Sequence, residues 1–131
     1  MSFANKYVVV TGAASGIGRA SALQFSASGA HVTIADVNQE GLEETAGMAQ
    51  GDVTIHHYDA TDLASCRALI ETAAQNGIDA LCNIAGLLDW GPTLDFDEAR
   101  FQRVIAINLT SVYAMCRAAL PRLITSGGNI V

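Results

Sequence analysis

Apolar positions along this chain fall into blocks of two lengths. Short, nearly continuous runs rich in β-branched residues occur at Tyr7-Val8-Val9-Val10-Thr11, His31-Val32-Thr33-Ile34-Ala35, Val53-Thr54-Ile55-His56-His57 and Ile78-Asp79-Ala80-Leu81-Cys82. Asn129-Ile130-Val131 opens a fifth. Runs of this kind suit strands of a sheet that is covered on both faces. Between them lie helix-length segments with 3.6-residue periodicity, as in Ala20, Leu23, Gln24 and Ala27 on one face of the first. A glycine stands ahead of each later strand (Gly29, Gly51, Gly77 and Gly128), and each fits a left-handed helix stop.

Strands alternating with helices predict βαβ units and a parallel sheet with right-handed crossovers. Strand starts near 7, 31, 53 and 78 give 22 to 25 residues per unit, and the next start is near 129. The longer interval holds a predicted loop from Leu87 to Asp97 and a long helix from about Glu98 to Leu120. The pattern is that of a doubly wound α/β fold. Residues 1–131 are expected to form a single domain, incomplete because it is truncated at the start of the fifth strand.

Composition narrows the class. Half of the residues are hydrophobic, 15% are charged and the mean hydropathy is +0.29, which excludes a disordered tail. No uninterrupted apolar run reaches the ~18 residues of a membrane span. The start, Met1-Ser2-Phe3-Ala4-Asn5-Lys6, lacks a leader-peptide pattern, so a cytoplasmic location is expected. The net charge is −6, with Lys6 the single lysine and six scattered arginines, which argues against nucleic acid or anionic membrane as partners. Cys66, Cys82 and Cys116 are odd in number and irregularly spaced, as expected of free thiols in a reducing compartment. His31, His56 and His57 have no third ligand at metal-site spacing, and no metal site is expected.

The first strand runs into Thr11-Gly12-Ala13-Ala14-Ser15-Gly16-Ile17-Gly18-Arg19. At a strand-to-helix junction, Gly12 would allow the tight turn and Gly16 a close backbone approach to a pyrophosphate. Gly18 would let the helix pack closely, and the helix N-terminus would offer free N–H groups to the phosphates. No lysine follows, so a nucleoside-triphosphate loop is excluded. An ordinary glycine-rich turn or a methyltransferase-type loop are the alternatives. Asp36 ends the second strand, eighteen residues after Gly18. There it could accept hydrogen bonds from both ribose hydroxyls of an adenosine. It would also repel a 2′-phosphate by about 4 kcal/mol per unit charge at ~4 Å and an effective dielectric of ~20. Ser15 and Val37 supply no compensating positive charge. The expected cofactor is therefore NAD rather than NADP, unless Asp36 merely caps the following helix.

These residues bear a family likeness. Gly-x-x-x-Gly-Ile-Gly after the first strand resembles the short-chain dehydrogenase/reductase superfamily rather than the Gly-x-Gly-x-x-Gly of other dehydrogenases. Asp59-Ala60-Thr61-Asp62 stands where that family places an Asp against the adenine ring. Leu81-Cys82-Asn83-Ile84-Ala85-Gly86 is similar to its Asn-Asn-Ala-Gly motif, with Ile84 departing from the second Asn. Ile107-Asn108-Leu109 matches the position of its catalytic Asn. The resemblance implies a Rossmann-type fold and cofactor contacts from Gly12, Ser15, Gly16, Ile17, Gly18, Asp36, Asp59, Ala60, Asn83, Ala85 and Gly86. It gives Asn108 a catalytic role, holding a water that relays protons to a lysine.

Each assignment has a structural alternative. Asp59 and Asp62 could organise a turn and cap the helix near Leu63, and Asn83 could tie strands together. Asn108 interrupts an apolar stripe of Phe101, Val104, Ile105, Val112 and Cys116, and could be a core amide bonded to backbone. The resemblance further implies hydride transfer between NAD(H) and a small alcohol or carbonyl substrate, in homodimers or homotetramers built partly on the long helix. The family's later Ser and Tyr-x-x-x-Lys have no counterpart up to Val131. Tyr113-Ala114-Met115-Cys116-Arg117 copies the spacing, but it shares a helix with Asn108 and ends in an arginine, which supplies no titratable ammonium. Residues 1–131 alone are expected to be inactive. The alternative to a half-enzyme is a non-catalytic dinucleotide-binding module.

Overall fold

The β-branched runs form β1 (Tyr7–Thr11), β2 (His31–Asp36), β3 (Val53–His57), β4 (Ala80–Cys82) and β5 (Asn129–Ile130) in a computed structural model that describes residues 2–131. Met1, the first residue of the segment expected to lack a leader pattern, lies outside the described residues. The strands pair in parallel in the order β3-β2-β1-β4-β5. The chain winds outward from β1 to one side and then from β4 to the other, so the order reverses between these two strands. This is the expected doubly wound α/β sheet, and a fold of this kind opens a crevice at the carboxyl ends of the strands flanking the reversal.

Period-2 alternation sends neighbouring strand residues into different layers. Val8, Val10, Val32, Ile34 and Cys82 pack beneath α1 (Gly16–Ala27) and α2 (Gln39–Met48), with Ala22 and Leu42. Val9 and Leu81 face the opposite layer, built from α3 (Leu63–Ala73) and α5 (Ser111–Ser126), with Leu69, Ile70, Met115, Ala119 and Leu123. Polar side chains cap the starts of three helices. Asn38 accepts from Gly41 N at 3.0 Å, Asp62 from Ala64 N at 2.8 Å, and Asp97 from Arg100 N at 2.8 Å at the start of α4 (Glu98–Ile105).

Several local expectations are corrected. The buried face of α1 is Gly18, Ala22 and Ser26, whereas Ala20, Gln24 and Ala27 are exposed and Leu23 is half-buried. Small residues win that face because they let the helix sit close to the sheet, and alanine periodicity alone cannot distinguish the two sides. Gly29 and Gly77 do take positive φ, +90° and +111°, but the left-handed stop before β5 is Gly127, at +66°. Gly51 and Gly128 serve close approach instead: an added Cβ would lie 2.8 Å from the Ser26 carbonyl oxygen and 2.3 Å from that of Asp79, respectively.

The long helix also differs. It runs from Glu98 through Pro121 to Ser126, with a π-helical turn at Ala106–Thr110 between α4 and α5. The expected stop before Pro121 does not occur. At 29 residues this helix is long and apolar enough to cross a membrane by length and composition, although charges interrupt its apolar runs. The π turn shifts helical phase, so the 3.6-residue stripe does not become the buried face. Phe101 and Asn108 are exposed, Val112 and Cys116 are half-buried, and Ser111, Ala114, Met115, Ala119 and Leu123 face inward.

Leu69 is fully buried between the sheet and α5. Leu69→Ala is expected to lower the unfolding free energy by about 2–5 kcal/mol, and Leu69→Met by less than ~1.5 kcal/mol, measured by urea denaturation. Equal losses from the two substitutions would show that packing volume at this position is not what joins α3 to the sheet.

Candidate functional site

The crevice between the ends of β1 and β4 is closed at its base by one buried hydroxyl. Thr11 Oγ1 donates to the Cys82 carbonyl at 3.3 Å and accepts from Ile84 N at 3.0 Å and Ala85 N at 3.1 Å. The segment leaving β4 is thereby drawn against the glycine loop leaving β1. Gly12 has φ +68°, and an added Cβ would stand 2.8 Å from Ala85 N, so turn and contact both require glycine there. At Gly18 an added Cβ would lie 2.0 Å from the Gly12 carbonyl oxygen. Gly16 is the opposite case: φ is +53° and an added Cβ would meet nothing within 4 Å, because that side faces open space.

A cleft of about 730 Å³ opens above this base. Its wall includes Gly12, Ser15, Gly16, Ile17, Gly18, Asp36, Val37, Tyr58, Asp59, Ala60 and Thr61. Ile84, Ala85, Gly86, Leu87, Arg103 and Ile107 complete it. A smaller hollow of about 240 Å³ lies elsewhere, between Tyr7, His31, Asp52 and Asn76. Unlike α2, α3 and α4, helix α1 starts without a side-chain cap: Ser15 makes no such hydrogen bond, and the first turn holds no acidic residue. Its leading N–H groups remain available to an anion in the cleft.

Asp36 stands at the cleft edge, where Oδ2 accepts from Ala14 N at 3.2 Å and Oδ1 from Asn38 N at 3.0 Å. Asn38, not Asp36, caps α2. Asp59 Oδ1 accepts from the Thr61 hydroxyl at 2.7 Å and from Thr61 N at 2.8 Å. The hydroxyl first, then the N–H, holds the Asp59 carboxyl below the usual Asp range. Burial pushes the Tyr58 phenol well above its ordinary value, keeping it neutral.

Two residues singled out by the sequence lie outside the cleft lining. Asn83 directs Nδ2 towards Cys116 Sγ at 3.6 Å, and its N–H donates to the Val131 carbonyl at 2.7 Å, so it joins β4 to α5 and to the β5 side. Asn108 is exposed rather than buried. Its Oδ1 accepts from Leu87 N at 2.7 Å and its Nδ2 donates to the Leu87 carbonyl at 2.8 Å. Gly86 makes room for this clamp, since an added Cβ would lie 3.4 Å from Asn108 Oδ1. The Ile107 carbonyl, in the widened turn, accepts the Ser111 hydroxyl at 2.7 Å.

Sequence reasoning missed Tyr58, Thr61, Arg103 and Ile107 as cleft residues. Ile107 and Arg103 lie one and five positions before Asn108 on the long helix, a signal that was present but unread. Beyond Leu87, the loop is tied to α4 by Arg100. Its guanidinium pairs with both carboxylate oxygens of Asp89, donates to the Trp90 carbonyl at 3.3 Å and stands 4.6 Å from the centre of the Phe96 ring. Leu88, Trp90 and Leu94 are left exposed in the loop between β4 and α4.

A family model described as short chain dehydrogenase matches residues 6–131. Over 127 residues the chain is 37% identical to 2-keto-3-deoxy-L-fuconate dehydrogenase of Xanthomonas campestris pv. campestris, covering 96% of this chain and 41% of that one. It is also 37% identical over 131 residues to D-threitol dehydrogenase of Mycolicibacterium smegmatis, covering 96% of this chain and 50% of the relative. A solved structure from Brucella melitensis, titled short-chain dehydrogenase/reductase SDR:glucose/ribitol dehydrogenase, superposes with a TM-score of 0.88 at 35% identity. That match covers 94% of this chain and 54% of the Brucella chain. The chain thus spans about half the length of the relatives it matches.

Thr11→Val leaves the Ile84 and Ala85 N–H groups without their acceptor. The expected loss is about 2–4 kcal/mol of unfolding free energy, with Thr11→Ser retaining most of the stability, measured by thermal or urea unfolding. The Asp59 carboxyl is expected to titrate below an ordinary Asp by NMR, and Thr61→Val to raise that midpoint. Because its folded pKa is depressed, any stabilisation from Asp59 is present above the ordinary Asp value and is lost as pH falls through the folded value.

Proposed function

The chain belongs to the short chain dehydrogenase family, and from that premise we propose that residues 1–131 form the dinucleotide-binding half of an oxidoreductase. The reaction moves a hydride between NAD(H) and the alcohol or carbonyl of a small molecule. The observation that carries this reading is the placement of the Asp36 carboxylate beside the uncapped start of α1 on one cleft wall. The residues present fit such a cofactor. The open side of Gly16 and the free N–H groups of α1 suit a pyrophosphate, and Asp36 suits a ribose diol. Ser15 and Val37 leave the charge of Asp36 unopposed, which favours NAD over NADP.

Asp59, Ala60, Tyr58 and Ile107 would surround the adenine end, and Ala85 and Gly86 the cleft base. Asn83 then acts behind the cleft, holding the β4 end that presents Ala85. When bound, the nicotinamide supplies the hydride donor or acceptor. Asn108 clamps Leu87 and so positions the loop that leaves the cleft. Each half of its amide makes one hydrogen bond to Leu87, and Oδ1 keeps a second lone pair and Nδ2 a second N–H with which Asn108 would hold the relay water that the family likeness implies. The names of the two relatives, a keto-deoxy sugar acid and a tetritol dehydrogenase, support an alcohol or carbonyl as the reacting group.

Exposed Phe101, Leu109, Tyr113, Leu120 and Ile124 on the long helix support a homodimer or homotetramer. Three free cysteines and an acidic surface charge support a cytoplasmic enzyme that binds neither nucleic acid nor membrane.

Calorimetric titration is expected to show tighter binding of NADH than of NADPH. Asp36→Ala should weaken NADH about tenfold and strengthen NADPH. Equal affinities in the parent protein would overturn the cofactor assignment. Residues 1–131 alone are expected to bind the dinucleotide without hydride transfer, since the family's Ser and Tyr-x-x-x-Lys have no counterpart among them. Measurable turnover by this segment would refute the half-enzyme reading.

A further inference from the structure

Behind the cleft wall, α2 grips the glycine loop through a polar network that no ligand would touch. Thr45 is buried at 1% exposure, and its Oγ1 lies 2.8 Å from the Ala13 carbonyl oxygen and 2.9 Å from that of Gly41. It also accepts from Arg19 Nε at 2.9 Å. Arg19 Nη2 donates to the carbonyls of Ala14 and Gly41 and to the Glu44 carboxylate, the last at 2.8 Å. Helix and loop are in backbone contact here, for a Cβ added to Gly41 would stand 2.9 Å from the Ala14 carbonyl oxygen. Arg19, Glu44 and Thr45 are all absent from the cleft lining.

The N–H groups of the same two loop residues are spent on β2 and its end. Ala13 N donates to the Ala35 carbonyl at 3.2 Å, and Ala14 N donates to Asp36 Oδ2 at 3.2 Å. The Ala13 C=O and the Ala14 N–H belong to one planar trans peptide and point in opposite directions, so anchoring that carbonyl from behind orients the N–H towards Asp36. Arg19 suits this work because its planar guanidinium presents Nε to Thr45 and Nη2 to the loop and Glu44 at fixed angles, which an ammonium cannot do with equal geometry.

We propose that Arg19 and Thr45 are positioning residues for dinucleotide selection: Arg19 holds the Thr45 hydroxyl and the Ala14 carbonyl, Thr45 holds the Ala13 carbonyl from behind, and the Ala14 N–H of that same peptide then keeps the Asp36 carboxylate at the ribose edge of the cleft. The proposal rests on the assignment of Asp36 as the group that separates NAD from NADP. A carboxylate with a loosened tether can swing away from a 2′-phosphate, so discrimination falls even though no residue in contact with the dinucleotide has changed.

The test measures NADH and NADPH dissociation constants by fluorescence titration for the protein and for Thr45→Val, Thr45→Ser and Arg19→Lys. Thr45→Val and Arg19→Lys are expected to narrow the NADH-over-NADPH preference by about three- to tenfold. Thr45→Ser, which restores the hydroxyl, is expected to stay within about twofold of the parent ratio. Should Thr45→Val fail to fold, Arg19→Lys reads the same ratio, because its ammonium keeps the charge opposite Glu44. If both variants weaken the two dinucleotides by the same factor, the network is only structural and the proposal falls. A parent protein with no preference for NADH overturns the assignment of Asp36 itself, and a parent preference with unchanged variant ratios overturns this inference alone.

Discussion

Everything at the cleft depends on backbone contact between the turn after β1 and the segment after β4. Two strands joined only through their ladder would diverge at their ends with the twist of the sheet. Here the Thr11 hydroxyl bridges that divergence, and Gly12 supplies the missing Cβ that the contact needs. The consequence is a fixed floor with Ala85 on one side and the glycine loop on the other. A side chain at position 12 would force the two segments apart, and an apolar residue at position 11 would leave the Ile84 and Ala85 N–H groups without their acceptor.

The second constraint comes from the long helix. A continuous α-helix from Glu98 would keep one face inward throughout, and the apolar stripe would be that face. The π turn at Ala106–Thr110 breaks the phase, so α4 turns its edge to the cleft while α5 turns its small and apolar residues to the core. Asn108 sits in the widened turn and spends both amide groups on Leu87. Single-turn π segments recur at functional positions because they aim side chains that regular helix would misdirect. In this chain the aimed side chain holds a loop, and Ile107 and Arg103 are brought to the cleft wall by the same geometry.

Polar groups are layered around the glycine loop. Asp36 and the free N–H groups of α1 face the cleft, while Thr45 and Arg19 lie behind the loop on the Ala13 and Ala14 carbonyls, with Glu44 holding Arg19. Loops of this kind have little side-chain packing of their own, since Gly12, Ala13, Ala14, Gly16 and Gly18 carry almost no side-chain atoms. Their shape must be imposed by hydrogen bonds from neighbouring elements.

Sequence alone determined the strand positions, the parallel winding, the glycine loop and Asp36, because these follow from local periodicity and from residue types whose backbone or charge behaviour is intrinsic. The helix caps at Asp62 and Asp97 have the same origin, since a carboxylate acts on N–H groups two or three residues away. What only the tertiary structure decided is which face each helix buries, and which polar side chains reach the site. Ala22 and Ser26 beat Leu23 for the inner face of α1 through closeness to the sheet. Asn83 points to α5, Asn108 reaches Leu87, and Thr45 reaches Ala13 across 32 positions of sequence. These are contacts between elements whose relative phase is set by packing and by one π turn, and no spacing along the chain encodes that phase.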